Sequence, residues 1–179
     1  MDTFFEQIIV RKPKAVELVF RALMIATGVL AVIVMLFIAT FRLMGAFSGF
    51  FVPLAFGLGV GLYFALKSSY VEYEYSLTNG YFDIDKIIGK RKRKRMISTS
   101  CAKFEEFGSY DENKQRLASR QFDTKILAAN LMDNDLYYAV VRHKDLGAVL
   151  IVIQPDERVK TGLKKFMPRQ VQKDVLSRD

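Results

Sequence analysis

Chemistry-bearing side chains are sparse in this sequence, and the densest of them form one unbroken basic run, Lys90-Arg91-Lys92-Arg93-Lys94-Arg95. Six cations in succession suit attraction to an anionic surface, which is long-ranged but screened by salt. The other candidates for chemistry are weaker. Glu72, Glu74, Asp83 and Asp85 alternate with apolar residues, so they are expected on a solvated strand face, where nothing raises a carboxyl pKa toward general-acid work. His143 is the single histidine and Cys101 the single cysteine, far apart in sequence, so neither a metal-ligand spacing nor a nucleophile and base pair exists. Gly89-Lys90-Arg91 matches a phosphate loop only in its first two letters, and no nucleophile elbow occurs. The residues point to a non-enzymatic protein without metal or cofactor.

What must position the basic run begins with a membrane-compatible hairpin. Two uncharged apolar runs, Ala22–Phe41 and Leu43–Leu66, are interrupted only by Arg42. Each matches the roughly 20 residues needed to cross a bilayer core, with spans expected at about 22–41 and 47–66. Arg11, Lys12, Lys14 and Arg21 precede the first span and Lys67 follows the second. The positive-inside rule therefore puts both termini in the cytoplasm, with Arg42 at the outer interface of the cell membrane. The spans contain no ionisable residue, so they look structural rather than conductive. Gly45-x-x-x-Gly49 and Gly57-x-Gly59-x-Gly61 have the small-residue spacing that lets helices approach closely. Gly45, Gly49, Gly57 and Gly61, facing Ala22, Ala26 and Gly28 of the first span, are the candidates for packing within the hairpin or between copies.

Residues 1–21 read as a basic, amphipathic N-terminal segment. Thr3 and Glu6 have capping-box spacing, and Phe4, Phe5, Ile8 and Ile9 form an apolar stripe, which predicts a short interfacial helix ended near Pro13.

Residues 67–179 form the remaining domain, with 22 Lys and Arg against 16 Asp and Glu. In Val71–Leu77 apolar and polar residues alternate, and Asn79-Gly80 follows. That pair favours a type I′ hairpin turn, since both residues tolerate positive φ. Closing the hairpin there sets Leu77 opposite Phe82, Tyr75 opposite Ile84 and Val71 opposite Ile88, all on one face. Ser76 then meets Asp83, and Glu74 meets Asp85. A regular third strand after Gly89 would bring Lys92 or Lys94 against Asp85. Further strands are expected near 103–107, 125–131, 136–144 and 147–154, with 108–122 as a short helix or long loop. A final amphipathic helix opens near Pro155, carries Val159, Leu163, Phe166 and Met167 on one face, and bends or ends at Pro168, with a second short piece expected at Gln170–Leu176.

Several antiparallel strands followed by one amphipathic helix is the element order of pleckstrin-homology-like (PH-like) domains. The chain resembles an uncharacterised family of small bacterial membrane proteins through Tyr73–Gly80, Asp83–Ile88 and Arg93-Lys94-Arg95. The resemblance implies an α+β membrane protein: a two-helix transmembrane hairpin at 22–66, then an antiparallel β PH-like domain with a C-terminal helix. It implies no ligand, because such folds host lipid binding, peptide binding and structural roles alike.

Two functions follow from the residues. In the first, Lys90–Arg95 engage the anionic inner leaflet, because strand one leaves the membrane and strand two returns the basic turn to the same level. In the second, the protein is a membrane-anchored scaffold that binds protein partners or further copies of itself. Nucleic acid ranks below both.

Overall fold

The computed structural model describes residues 4–41 and 45–176. Arg42 and Thr3, expected at the outer turn and as a helix cap, lie outside the described residues. The chain divides into two compact units, one of residues 13–70 and one of residues 1–12 with 71–179.

The helical unit holds α1 (Ala15–Phe41) and α2 (Phe51–Ser68), joined through a short 3₁₀ segment at Gly45–Phe50. Both helices are long and apolar enough to cross a membrane. At about 1.5 Å per residue they extend roughly 40 and 27 Å. The second regular helix begins at Phe51, later than the expected 47. Pro53 falls in its first turn, where a missing N–H costs nothing. Thr27 and Thr40 donate their hydroxyls to the carbonyls of Leu23 and Leu36, both at 2.8 Å, so neither needs a polar partner outside the helix. Basic and aromatic groups gather at the end where the chain enters and leaves. Arg21 donates to the Ser69 carbonyl at 2.9 Å and lies over Tyr70, and Lys67 lies over Tyr63.

The β unit contains two sheets. The first has the order β1 (Phe4–Val10), β2 (Val71–Thr78), β3 (Tyr81–Ile88) and β4 (Lys92–Ser100), antiparallel throughout. The second has β5 (Phe104–Ser109), β7 (Tyr137–His143), β8 (Gly147–Ile153) and β6 (Thr124–Leu127) in that order. Within it β6 runs parallel to β8, so the expectation of an all-antiparallel domain is corrected at this strand. Strand β6 also stops at Leu127 rather than Leu131, because Ala128 to Asn130 turn inward and are buried. Helix α3 (Tyr110–Ser119) occupies the polar stretch before it.

The Asn79-Gly80 hairpin has the expected register at every pair, with positive φ at both turn residues. Its inner face (Tyr75, Leu77, Phe82, Ile84) packs against Ala139, Val141, Ile151 and Ile153 of the second sheet. The buried Tyr75 hydroxyl ties the sheets together, donating to the Ala128 carbonyl and accepting from the Gln154 N–H. Helix α4 (Glu157–Phe166) closes the core with Val159 and Leu163. Asp156 caps it, accepting from Val159 N–H at 2.7 Å. Helix α5 (Arg169–Leu176) follows Pro168.

The N-terminal segment is the main correction. Residues 4–10 form an edge strand, not an interfacial helix, and pair with β2 from Phe4↔Thr78 to Val10↔Glu72. Phe5 and Ile9 pack on the core, and Gln7 bonds to Gln154 and Asp156. The helical hairpin is therefore inserted between two neighbouring strands of one sheet, rather than preceding the domain.

Candidate functional site

The basic run straddles the turn after β3 and the first half of β4, where every side chain from Lys90 to Arg95 is exposed. Gly89 and Lys90 take the positive φ this turn requires. A bulge then decides which cations face which way. Ile84 pairs with Ile97, but Asp85 pairs with Arg95, leaving Met96 as the extra residue. A bulge shifts the alternation by one, so every residue before it changes face. The expected approach of Lys92 or Lys94 to Asp85 is thereby overturned. Arginines take those places.

Arg93 reaches Glu74 at 2.6 Å and Asp85 at 3.9 Å, while Arg95 reaches Asp85 at 3.1 Å and Asp83 at 3.4 Å. Lys90 stands 4.0 Å from Glu72. The carboxylates are less accessible than the sequence suggests. Glu74 and Asp85 are each only 6% exposed, facing one another across β2 and β3. Two adjacent buried anions repel, and planar guanidinium forks can satisfy both at once. The hydrogen bond to Asp85, then the charges of Asp83 and Asp85, raise the Arg95 pKa further. Arg93 and Arg95 are thus structural counter-ions. Arg91, Lys92 and Lys94 have no carboxylate within 4.0 Å among the described residues.

A second ionic cluster, not expected from the sequence, lies on the other sheet. Glu106 accepts from Arg116 at 2.7 Å and from Arg120 at 2.5 Å, and Arg116 also donates to Tyr138. Burial alone would raise the Glu106 pKa, but the two guanidinium hydrogen bonds prevail and hold it below its ordinary value. Its spacing of 10 and 14 residues carries no recognisable motif.

Cys101 is fully buried, and burial pushes its thiol pKa up to about 12, which suits a core residue rather than a nucleophile. His143 accepts from the Asp145 N–H at 3.2 Å at the end of β7. Among the described residues no three His, Cys, Asp or Glu side chains converge on a metal site.

The glycine candidates divide differently from the expectation. Gly45, Gly49, Gly57 and Gly61 face open space, whereas Gly28 on α1 is where the helices meet, since a Cβ there would collide with Leu62. Packing inside the hairpin therefore rests on Gly28 and not on the four glycines of the second run.

The order of the β unit, two sheets closed by α4, agrees with what the sequence as a whole matches. Residues 1–173 fit the family model described as Bacterial PH-like domain (DUF6106). The chain belongs to that family. No curated protein and no solved structure matches it. The family match covers β1, both helices and the two sheets.

Proposed function

We propose that this is a non-enzymatic integral membrane protein of the cell membrane, with both termini cytoplasmic, whose PH-like domain engages the anionic inner leaflet. One observation carries the reading. Val10 and Val71, where the chain departs for the helices and returns, lie at the same end of the first sheet as the basic turn. Val71 pairs with Ile88, Ile88 pairs with Lys92, and Arg11 N–H bonds to the Val71 carbonyl at 3.0 Å. Only Arg11–Lys14 and Ser69–Tyr70 separate that end from α1 and α2. If the helices cross a bilayer, these short links bring the exposed cations Lys90, Arg91, Lys92 and Lys94 within reach of headgroups, where each is worth up to about 1 kcal/mol.

The test is adsorption of the β unit to vesicles. It should bind vesicles containing phosphatidylglycerol at about 0.1 M salt, lose most binding at 1 M, and ignore neutral vesicles, because the Debye length shrinks from about 10 to 3 Å. Equal binding to neutral vesicles defeats the reading.

The scaffold reading draws on a different feature. The edge strand β1 exposes Phe4, Ile8 and Val10, with no proline or lysine inside the strand to block pairing. A stoichiometric protein partner retained at high salt would favour it.

A further inference from the structure

The bulge at Met96 leaves Lys92 and Lys94 on the core-side face of β4, opposite to Arg93 and Arg95. One rung across the first sheet on that face reads Ile9, Tyr73, Lys86, Lys94, from the successive pairings of β1 to β4. The next rung carries Arg11 beside Val71, then Ile88 and Lys92. Lys86 and Lys94 are thus directly opposed like charges, an arrangement that ordinarily weakens a sheet. No carboxylate among the described residues lies within 4.0 Å of Lys86, Lys92 or Lys94. Asp133, which the N-terminal segment meets just beyond, is already taken by Lys12 at 2.8 Å. The acids of the sheet (Glu6, Glu72, Glu74, Asp83, Asp85) all lie on its other face. Tyr73 is buried, and Val71 and Ile88 are half-buried, which gives the cations an apolar floor.

We propose that Lys86, Lys92 and Lys94, with Arg11 at the rim, form a built site for a phosphate group at this end of the sheet. The sharper identification rests on the leaflet reading above: the phosphate is that of an anionic lipid headgroup. An ammonium pair held about 5 Å apart at Cβ suits two oxygens of one phosphate, and an anion between them removes the repulsion. The Arg face contributes position, by fixing β4, and not ligand contacts.

The full chain in neutral dodecyl maltoside at about 0.1 M salt provides the test. Calorimetric titration uses dihexanoyl phosphatidylglycerol, with dihexanoyl phosphatidylcholine and inorganic phosphate as the other arms. Two variants each remove two cations, K86Q/K94Q on the rung and K90Q/R91Q on the turn. The rung variant should weaken phosphatidylglycerol binding about tenfold or more, as expected for one lost charge-assisted hydrogen bond. The turn variant should weaken it less than about threefold. Equal weakening overturns the built site and leaves diffuse leaflet attraction standing. No weakening in either overturns both. Inorganic phosphate bound as tightly as the lipid, with the same loss in K86Q/K94Q, keeps the phosphate site and overturns the headgroup as its occupant. The single variant K94Q, at an exposed position, guards against misfolding. Without ligand it should melt at or above the parent, since it relieves a repulsion, and a lower melting temperature overturns the unneutralised pair.

Discussion

Strand β1 is separated from the rest of its sheet by the 60 residues 11–70, yet it should decide whether the β unit folds at all. The fragment 71–176 alone lacks it. That fragment loses the half-buried Phe5 and Ile9 side chains, together worth about 3 kcal/mol at half of full burial. It also loses two Gln7 hydrogen bonds, to the Gln154 carbonyl at 3.1 Å and from the Asp156 N–H at 2.8 Å, worth about 1 kcal/mol each. The strand's ladder bonds are taken as offset by the entropy of ordering its seven residues. The deficit of about 5 kcal/mol matches the whole stability of a modest domain. The remedy follows from the register, in which Arg11 stands beside Val71. Residues 4–11 joined to 71–176 through Asn-Gly should close a two-residue hairpin and restore a soluble, cooperative fold. Urea denaturation followed by far-UV circular dichroism compares the two. At roughly 1.5–2 kcal/mol per molar urea, the midpoints should differ by about 2.5–3.3 M. If the fragment without β1 melts cooperatively within about 1 kcal/mol of the joined protein, β1 is not part of the folding unit and the reasoning fails.

Other outcomes can be checked in the joined protein. R93Q/R95Q should destabilise by about 1–2 kcal/mol, a figure discounted because both guanidiniums are half exposed, whereas K92Q/K94Q should be neutral or stabilising; a denaturant melt ranking them the other way refutes the bulged register. Gly80→Val should cost more than about 1 kcal/mol, since its φ is +83° and a Cβ would lie 3.0 Å from Phe166, and an unchanged melt would remove the type I′ turn. The Cys101 thiol should resist Ellman's reagent until unfolding. Its pKa is raised in the folded state, so the folded form holds the extra proton between about pH 9 and 12; stability should fall as pH rises through that window, and Cys101→Ala should flatten the slope. Reporter fusions at Asp179 and near Ala46 should place the first inside the cell and the second outside, and the reverse would overturn the leaflet reading.

The hairpin around Asn79-Gly80 was readable because two independent signals, alternation and turn chemistry, agree on one register. Strand β1 was not, because Phe4-Phe5-Glu6-Gln7-Ile8-Ile9-Val10 sets its apolar residues in pairs four apart, which is a helical stripe, and shows no apolar–polar alternation. Its partner strand lies beyond both apolar helices, out of reach of any local window. The six cations of the basic run were plain in the sequence, but their division was hidden. It depends on a bulge at Met96, which no glycine or proline announces. The buried state of Glu74 and Asp85 followed the same route, since only the displaced arginines can cover them. The parallel strand β6 depends on long-range order within its sheet, which four residues cannot encode.

The insertion of the helices between β1 and β2 has a consequence for biogenesis. As the chain is made, β1 emerges first and must wait for β2, which follows only after α1 and α2. Closing a flexible 60-residue loop is costly, but a formed helical hairpin leaves only the six residues Arg11–Lys14 and Ser69–Tyr70 to be closed. On the logarithmic dependence of closure entropy, that difference favours docking of β1 by roughly 2 kcal/mol. Correct pairing of the two helices, wherever it occurs, thus acts as a proofreading step for the β unit. A chain whose helices fail to pair leaves the edge of β2 bare, and the cell's quality-control proteases meet an unfinished sheet instead of a sealed one.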